Sequence, residues 1–289
     1  MKKRTAVTIL LNIFFILLVL VIILPAAWLI MNSLKTNVEL FTDSLALPAK
    51  VQFANYISAW NKGLYKYFGN SVIVSSISLI SILFLSSLLA YGITRFNSRF
   101  GNLIFLITLG GMALSEQVAL VPLYKILQAT HLYNTYWAVI LPYVAFRIPF
   151  TVFLMRAYFM CIPKELEEAA IIDGANHFIT CFRVYVPCAK PSIATLTLFS
   201  FITQWNSYFD GLIFSNFPSS YPLASYLYTV VVKRDLSLLS IDEIKILSVV
   251  DDRTIRCAQI FISLIPIMLI YPFAQKYFVK GMTVGSVKG

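Results

Sequence analysis

Six stretches of this sequence run almost without charge for long enough to form one helix each: residues 6–31, 71–94, 103–127, 136–159, 192–214 and 258–278. A helix crossing the hydrocarbon core of a bilayer needs about 20 apolar residues. The pattern therefore predicts an all-α integral membrane protein with six transmembrane helices. Two runs carry internal irregularities. The third is interrupted by Ser115-Glu116-Gln117 and Pro122, and the fourth contains Pro142, Arg147 and Pro149. Long polar connections fill residues 35–69 and 215–256, and a shorter amphipathic one fills 161–190. Along the second run, Ser75, Ser78, Ser86 and Ala90 recur with Ser76 and Ser87 beside them. Small residues let helices approach closely in lipid, so this reads as a packing face, with a polar pathway as the alternative.

Composition strengthens the membrane reading. Hydrophobic residues are 59% of the 289 positions and charged residues 12%, against about 45–50% and 25% in soluble domains. These values exclude a disordered chain, a collagen-like repeat and a coiled coil. The net charge of +10 belongs first to the membrane, because basic residues hold cytoplasmic ends in place; no nucleic-acid partner is expected. Lys2, Lys3 and Arg4 precede the first run without a small-x-small cleavage site after it, so it reads as a retained span. Both termini and the 161–190 connection then lie inside, and the two longer loops outside, in a multi-pass cell-membrane protein. Four cysteines without a CxxC pair, and two histidines, assemble no zinc, haem or disulfide framework. The organisation predicted is a first span with its external loop over 1–70, then a transmembrane core over 71–289.

The 161–190 connection carries the most information. Pro163 suits the first turn of a helix, and Glu165, Glu167 and Glu168 sit where the helix dipole favours acids. Leu166, Ala169, Ala170 and Asp173 fall on one side. Gly174 supplies a stop, and Asn176 can cap a second short helix carrying Phe178 and Phe182. Two short helices joined by a glycine bend are expected, with Ala169 and Ala170 offering a shallow side that another protein can grip.

Glu168-Ala169-Ala170, Gly174, Val184, Val186 and Pro187 keep every spacing of the EAA motif of ABC importer permeases, with Val at the two aliphatic positions. The chain resembles that family. Ile172-Asp173-Gly174-Ala175 is similar to its carbohydrate-uptake branch, as are Gln204-Trp205-Asn206, Asn134-Thr135, Leu141-Pro142, Tyr277 to Gly281 and the terminal Val287-Lys288-Gly289. The resemblance implies the type I importer permease fold and a maltose-type subunit that does no covalent chemistry. Its implied partners are a homologous second permease subunit, two ATP-binding subunits and an extracytoplasmic sugar-binding protein. Residues 163–178 would be the coupling helix seated in an ATPase cleft: Glu168 as polar contact, Ala169 and Ala170 as close approach, Gly174 as the bend, with Asp173 and Pro187 completing the motif. No GxxxxGK[ST] pattern occurs, so no cofactor is expected on this chain, with ATP and Mg on the partner subunits.

The same resemblance places the 215–256 loop, through Pro222 and Leu223, against the docked binding protein. Its second half, from Lys233 to Arg256, is more charged than the family pattern, and Arg256 and Gln259 stand where that pattern has small or apolar residues at the mouth of the last span. Polar groups at membrane depth mark the candidate substrate pathway: Glu116, Gln117, Arg147, Gln204, Trp205, Asn206, Tyr208 and Asp210. Two readings of Arg147 stand side by side. It lines a path for a sugar bearing a carboxylate, with Trp205 and Tyr208 as stacking platforms, or it forms a structural ion pair with Glu116 or Asp210. Beside the sugar-importer reading stand import of another solute, such as glycerol phosphate or a polyamine, and a self-sufficient secondary transporter.

Overall fold

The computed structural model describes residues 2–95, 99–215, 220–231 and 252–286. Most of the charged stretch from Lys233 and the tail Val287–Gly289 lie outside the described residues. The described residues form helices and no strands: α1 Lys2–Ser33, α2 Asn37–Thr42, α3 Ala54–Ala59, α4 Tyr65–Arg95, α5 Arg99–Gly111, α6 Glu116–Ala129, α7 Tyr136–Met160, α8 Lys164–Ile172, α9 His177–Thr180, α10 Val186–Cys188, α11 Lys190–Asn206, α12 Phe209–Phe214, α13 Leu223–Val231 and α14 Arg253–Ser286. Four segments are long and apolar enough to cross a membrane: Thr8–Ser33, Ala54–Arg95, Tyr136–Met160 and Arg253–Pro272. Counting each of two sharply bent helix pairs as one span brings the total to six.

The bent pairs refine the sequence pattern. In the third run, Phe100–Gly111 and Glu116–Ala129 meet at 97°. Ser115, Glu116 and Gln117 open α6 instead of interrupting a helix, because the Ser115 hydroxyl caps it by accepting from the Gln117 N–H. Pro122 lies inside α6 without ending it. The fifth run starts with an 84° bend between His177–Cys188 and Lys190–Asn206, and its far end unwinds at Ser207 and Tyr208 before α12. The last helix begins at Arg253, five residues earlier than its uncharged run.

Contacts divide the chain into two units. The first comprises Met1–Tyr65 and Leu227–Ile265. Residues 8–28 of α1 are exposed throughout, as suits an apolar helix whose solvent is lipid. The connection after it is well tied. Thr36 and Glu39 form a reciprocal capping box on α2, and the buried Lys35 ammonium donates to the Asp43 carbonyl at 3.0 Å. Residues more than two hundred positions apart meet in this unit: Thr254 Oγ1 donates to Asn37 Oδ1 at 3.0 Å, and the Tyr56 and Phe261 rings pack edge to face.

The second unit comprises Lys66–Tyr226 and Pro266–Gly289 and holds the larger core. Ser75, Ser78, Ser86 and Ala90 of α4 are buried while Ser76 is exposed, so the small-residue stripe is a packing face. One core cluster joins Ala90, Tyr91, Met155, Phe159, Cys181, Tyr185 and Leu196, gathering α4, α7, α11 and the π-helical turn Cys181–Tyr185.

Candidate functional site

Two places in the second unit carry the residues singled out by sequence. The first is α8 and its surroundings. Pro163 precedes the helix, with Glu165 and Glu167 in its first turn. At the other end Gly174 takes φ +86°, a conformation that disfavours any residue with a Cβ. Its N–H donates to Ile171 O and the Ala175 N–H donates to Ala170 O, both at 2.9 Å, the paired bonds of a Schellman stop. Asn176 then caps α9 by accepting from Ile179 N–H at 2.8 Å. Local chemistry thus yields the expected helix–glycine–helix. Glu168, Ala169 and Asp173 are exposed, Ala170 and Pro187 half-buried, and Ile172 is 86% exposed. This is a small, accessible face with an acid at each end.

Glu167 faces the other way. The Tyr91 hydroxyl donates to its Oε1 at 2.7 Å and the Tyr185 hydroxyl to its Oε2 at 3.0 Å. Arg95 Nε lies 3.2 Å from the same Oε2. Sequence reasoning counted Glu167 only as a first-turn acid. The one sequence signal for its role is the pairing of Tyr91 with Arg95 at i, i+4, which puts both on one face of α4.

The second place is a cavity of about 550 Å³ at the two helix breaks. Gly111 at the end of α5 and Met112 just after it, Glu116 and Gln117 of α6, Phe146 and Arg147 of α7, and Ser207, Tyr208 and Asp210 at the end of α11 and start of α12 line it. Three separate stretches of sequence therefore converge, 111–120, 146–147 and 207–210. Ser207 Oγ donates to Asp210 Oδ2 at 2.8 Å, and Asp210 is 7% exposed. No ion pair within 4.0 Å joins Arg147 to Glu116 or Asp210 among the described residues. The structural-pair reading of Arg147 is thus not realised at contact distance. The guanidinium and two carboxylates share one polar hollow without a closed bridge.

Three pathway candidates lie off this cavity. Trp205 is buried, stacked on Phe201 at 5.4 Å and edge-on to Phe68 at 5.5 Å, so it packs instead of serving as a sugar platform. Gln204 is buried with neither amide atom hydrogen-bonded among the described residues, and Asn206 is exposed elsewhere. Tyr208 does line the hollow and is 42% exposed.

Pro222 and Leu223, expected at a binding-protein contact, are buried in this structure and present no surface to a docking protein. They anchor α13 instead. The Leu223 N–H donates to Ser71 Oγ at 2.7 Å, and the Asn70 amide to Tyr221 O at 3.0 Å. Tyr67 and Tyr226 stack with centroids 4.1 Å apart. Ser225 Oγ donates to Tyr208 O at 2.7 Å, so α13 braces the unwound wall of the cavity. Sequence reasoning missed Ser225, Asn70 and Gly211, whose roles depend on contacts between distant segments.

A multi-pass helical chain with broken spans around a polar hollow, and an exposed Glu-Ala-Ala helix closed by glycine, has the build of a transport permease. Residues 82–284 match the binding-protein-dependent transport system inner membrane component family, and the chain belongs to it. It is 38% identical over 279 residues to the probable ABC transporter permease protein YurM of Bacillus subtilis, covering 96% of this chain and 87% of that one. It is 31% identical over 273 residues to the diacetylchitobiose uptake system permease protein NgcG of Streptomyces coelicolor, covering 93% and 85%. Among solved structures, it shares its fold with a chain of a bacterial ABC transporter involved in the import of the acidic polysaccharide alginate, with a TM-score of 0.81 over 96% of this chain and 98% of that one, at 23% identity.

Proposed function

We propose that this chain is one of two homologous permease subunits of an oligosaccharide importer, working with two ATP-binding subunits and an external sugar-binding protein. The observation that carries the reading is the accessible face of α8. Glu168, Ala169 and Asp173 stand free on a helix whose end is stopped at Gly174, a shape suited to a cleft on another protein. ATP and Mg belong to the ATPase subunits, so hydrolysis is not this chain's chemistry. Closure of the ATPase pair displaces α8, and the spans switch between inward-facing and outward-facing arrangements as rigid bodies. The 161–190 connection and both termini face the cytoplasm in this scheme.

The cavity supplies the membrane pathway. Arg147, Gln117 and Ser207 offer donors, Glu116 and Asp210 offer acceptors, and Tyr208 offers an aromatic face. Sugar hydroxyls need such alternating partners, and a few placed polar groups fix orientation in a pocket of this size. Relatives named for diacetylchitobiose and alginate support a carbohydrate cargo.

The test is ATP hydrolysis by the purified complex in lipid, with binding protein and a panel of neutral and acidic oligosaccharides. Wild type should be stimulated by one sugar class. Gly174→Trp should abolish stimulation while the subunits still co-purify, because tryptophan both strains the φ +86° position and fills the face beside Asp173. If no ATPase subunit co-purifies, or if this chain alone moves solute, the importer reading fails.

A further inference from the structure

Glu167 is the inward neighbour of the outward-facing Glu168, and the difference assigns it another task. Its carboxylate takes hydrogen bonds from Tyr91 and Tyr185 and an ion pair from Arg95. Arg95 also donates from Nη2 to Ile162 O at 2.8 Å, just beyond the end of α7, and its guanidinium lies 4.7 Å over the Tyr185 ring. The Arg95 and Glu167 side chains are 7% and 12% exposed. One cluster therefore ties α8 to α4, to the end of α7 and to the turn that leads into α10.

The physical character of these ties matters. A nine-residue helix has little stability of its own, so it moves as a body only if something holds it. Apolar contacts are non-directional and let helices slide. Charge-assisted bonds are short and directional, and breaking a buried pair leaves an uncompensated charge, so such a joint resists slipping. Tyr185 is completely buried and packs edge-on against both Tyr91 and Phe159, which keeps its hydroxyl aimed at Glu167.

We infer that Glu167 and Arg95 form the stiff joint that converts displacement of α8 into displacement of α4 and α7, as positioning residues distinct from the outer contact made by Glu168. The inference rests on the importer reading above. Its test is Glu167→Gln in the reconstituted complex, read as sugar transported per ATP hydrolysed, together with thermal stability and subunit co-purification. Glutamine keeps the shape but removes the charge. The expected result is an assembled complex that still hydrolyses ATP but moves sugar with a ratio about fivefold lower or worse, the scale of a typical coupling loss. Tyr91→Phe and Tyr185→Phe should lower the ratio by less. A ratio unchanged from wild type, including one where transport and hydrolysis fall together with the amount of folded complex, overturns the joint. If Glu167→Gln fails to assemble, Arg95→Met with Glu167→Met removes both buried charges at once and carries the same readout. A wild-type complex without sugar-stimulated hydrolysis overturns the importer reading itself and the joint's role with it.

Discussion

Adjacent residues in this chain serve opposite surfaces, and Glu167 and Glu168 are the clearest case. Composition treats them as two acids in a helix's first turns; burial separates them into an internal tie and an exposed carboxylate. Arg147 poses the same question in the cavity. It shares the hollow with Glu116 and Asp210 without an ion pair to either, so its charge is available to a ligand. Arg147→Gln should leave the complex assembled while transport efficiency for the preferred sugar falls about tenfold or more, since a hydrogen bond from a charged donor contributes about 1.5–3 kcal/mol. Initial uptake rates across sugar concentrations would measure it. Loss of assembly in place of loss of transport would return Arg147 to a structural role.

At the scale of elements, stops and breaks matter more than helix lengths. The Schellman stop at Gly174 and the Asn176 cap use only residues close in sequence. The brace formed by α13 is different, because α12 and α13 approach so closely that a side chain is excluded between them. A Cβ on Gly211 would stand 2.6 Å from Pro222 Cδ and would also meet Ser225 Oγ. The proline ring cannot yield as a flexible side-chain end can. Gly211→Ala should therefore destabilise the second unit by about 1–3 kcal/mol, the usual range for overpacking. A lower thermal midpoint in detergent would show it, and an unchanged midpoint would mean that α13 is not fixed against α12.

For the whole molecule, the six-span arrangement makes a prediction about sides. Cys161 and Cys188 are exposed on the 161–190 connection, while Cys181 and Cys257 are buried. A membrane-impermeant maleimide should label Cys161 and Cys188 in inside-out vesicles and spare them in right-side-out ones. The opposite pattern would invert the topology inferred from the basic N-terminus. Because Cys161 is two residues before Pro163 and α8, labelling protected by the ATPase subunits would also locate their seat.

The apolar runs, the helical class, and the helix–glycine–helix of the EAA segment were legible in the sequence by itself. Each depends on energies that act within one span or one turn: hydrocarbon transfer, caps and a positive φ at Gly174. The grouping of Glu116, Arg147 and Asp210 in one cavity was not legible, nor was the burial of Trp205, Pro222 and Leu223. Tertiary structure decided these, because they require the breaks at Ser115 and Ser207 to face the same stretch of α7 and require α13 to close over α12. It likewise decided the inward turn of Glu167. Tyr91 and Arg95 of α4 and Tyr185 of the turn before α10 reach that carboxylate while Ile162 beyond α7 holds the Arg95 guanidinium, and a contact made by chain closure between three separate stretches leaves no periodic signal in the segment that carries Glu167.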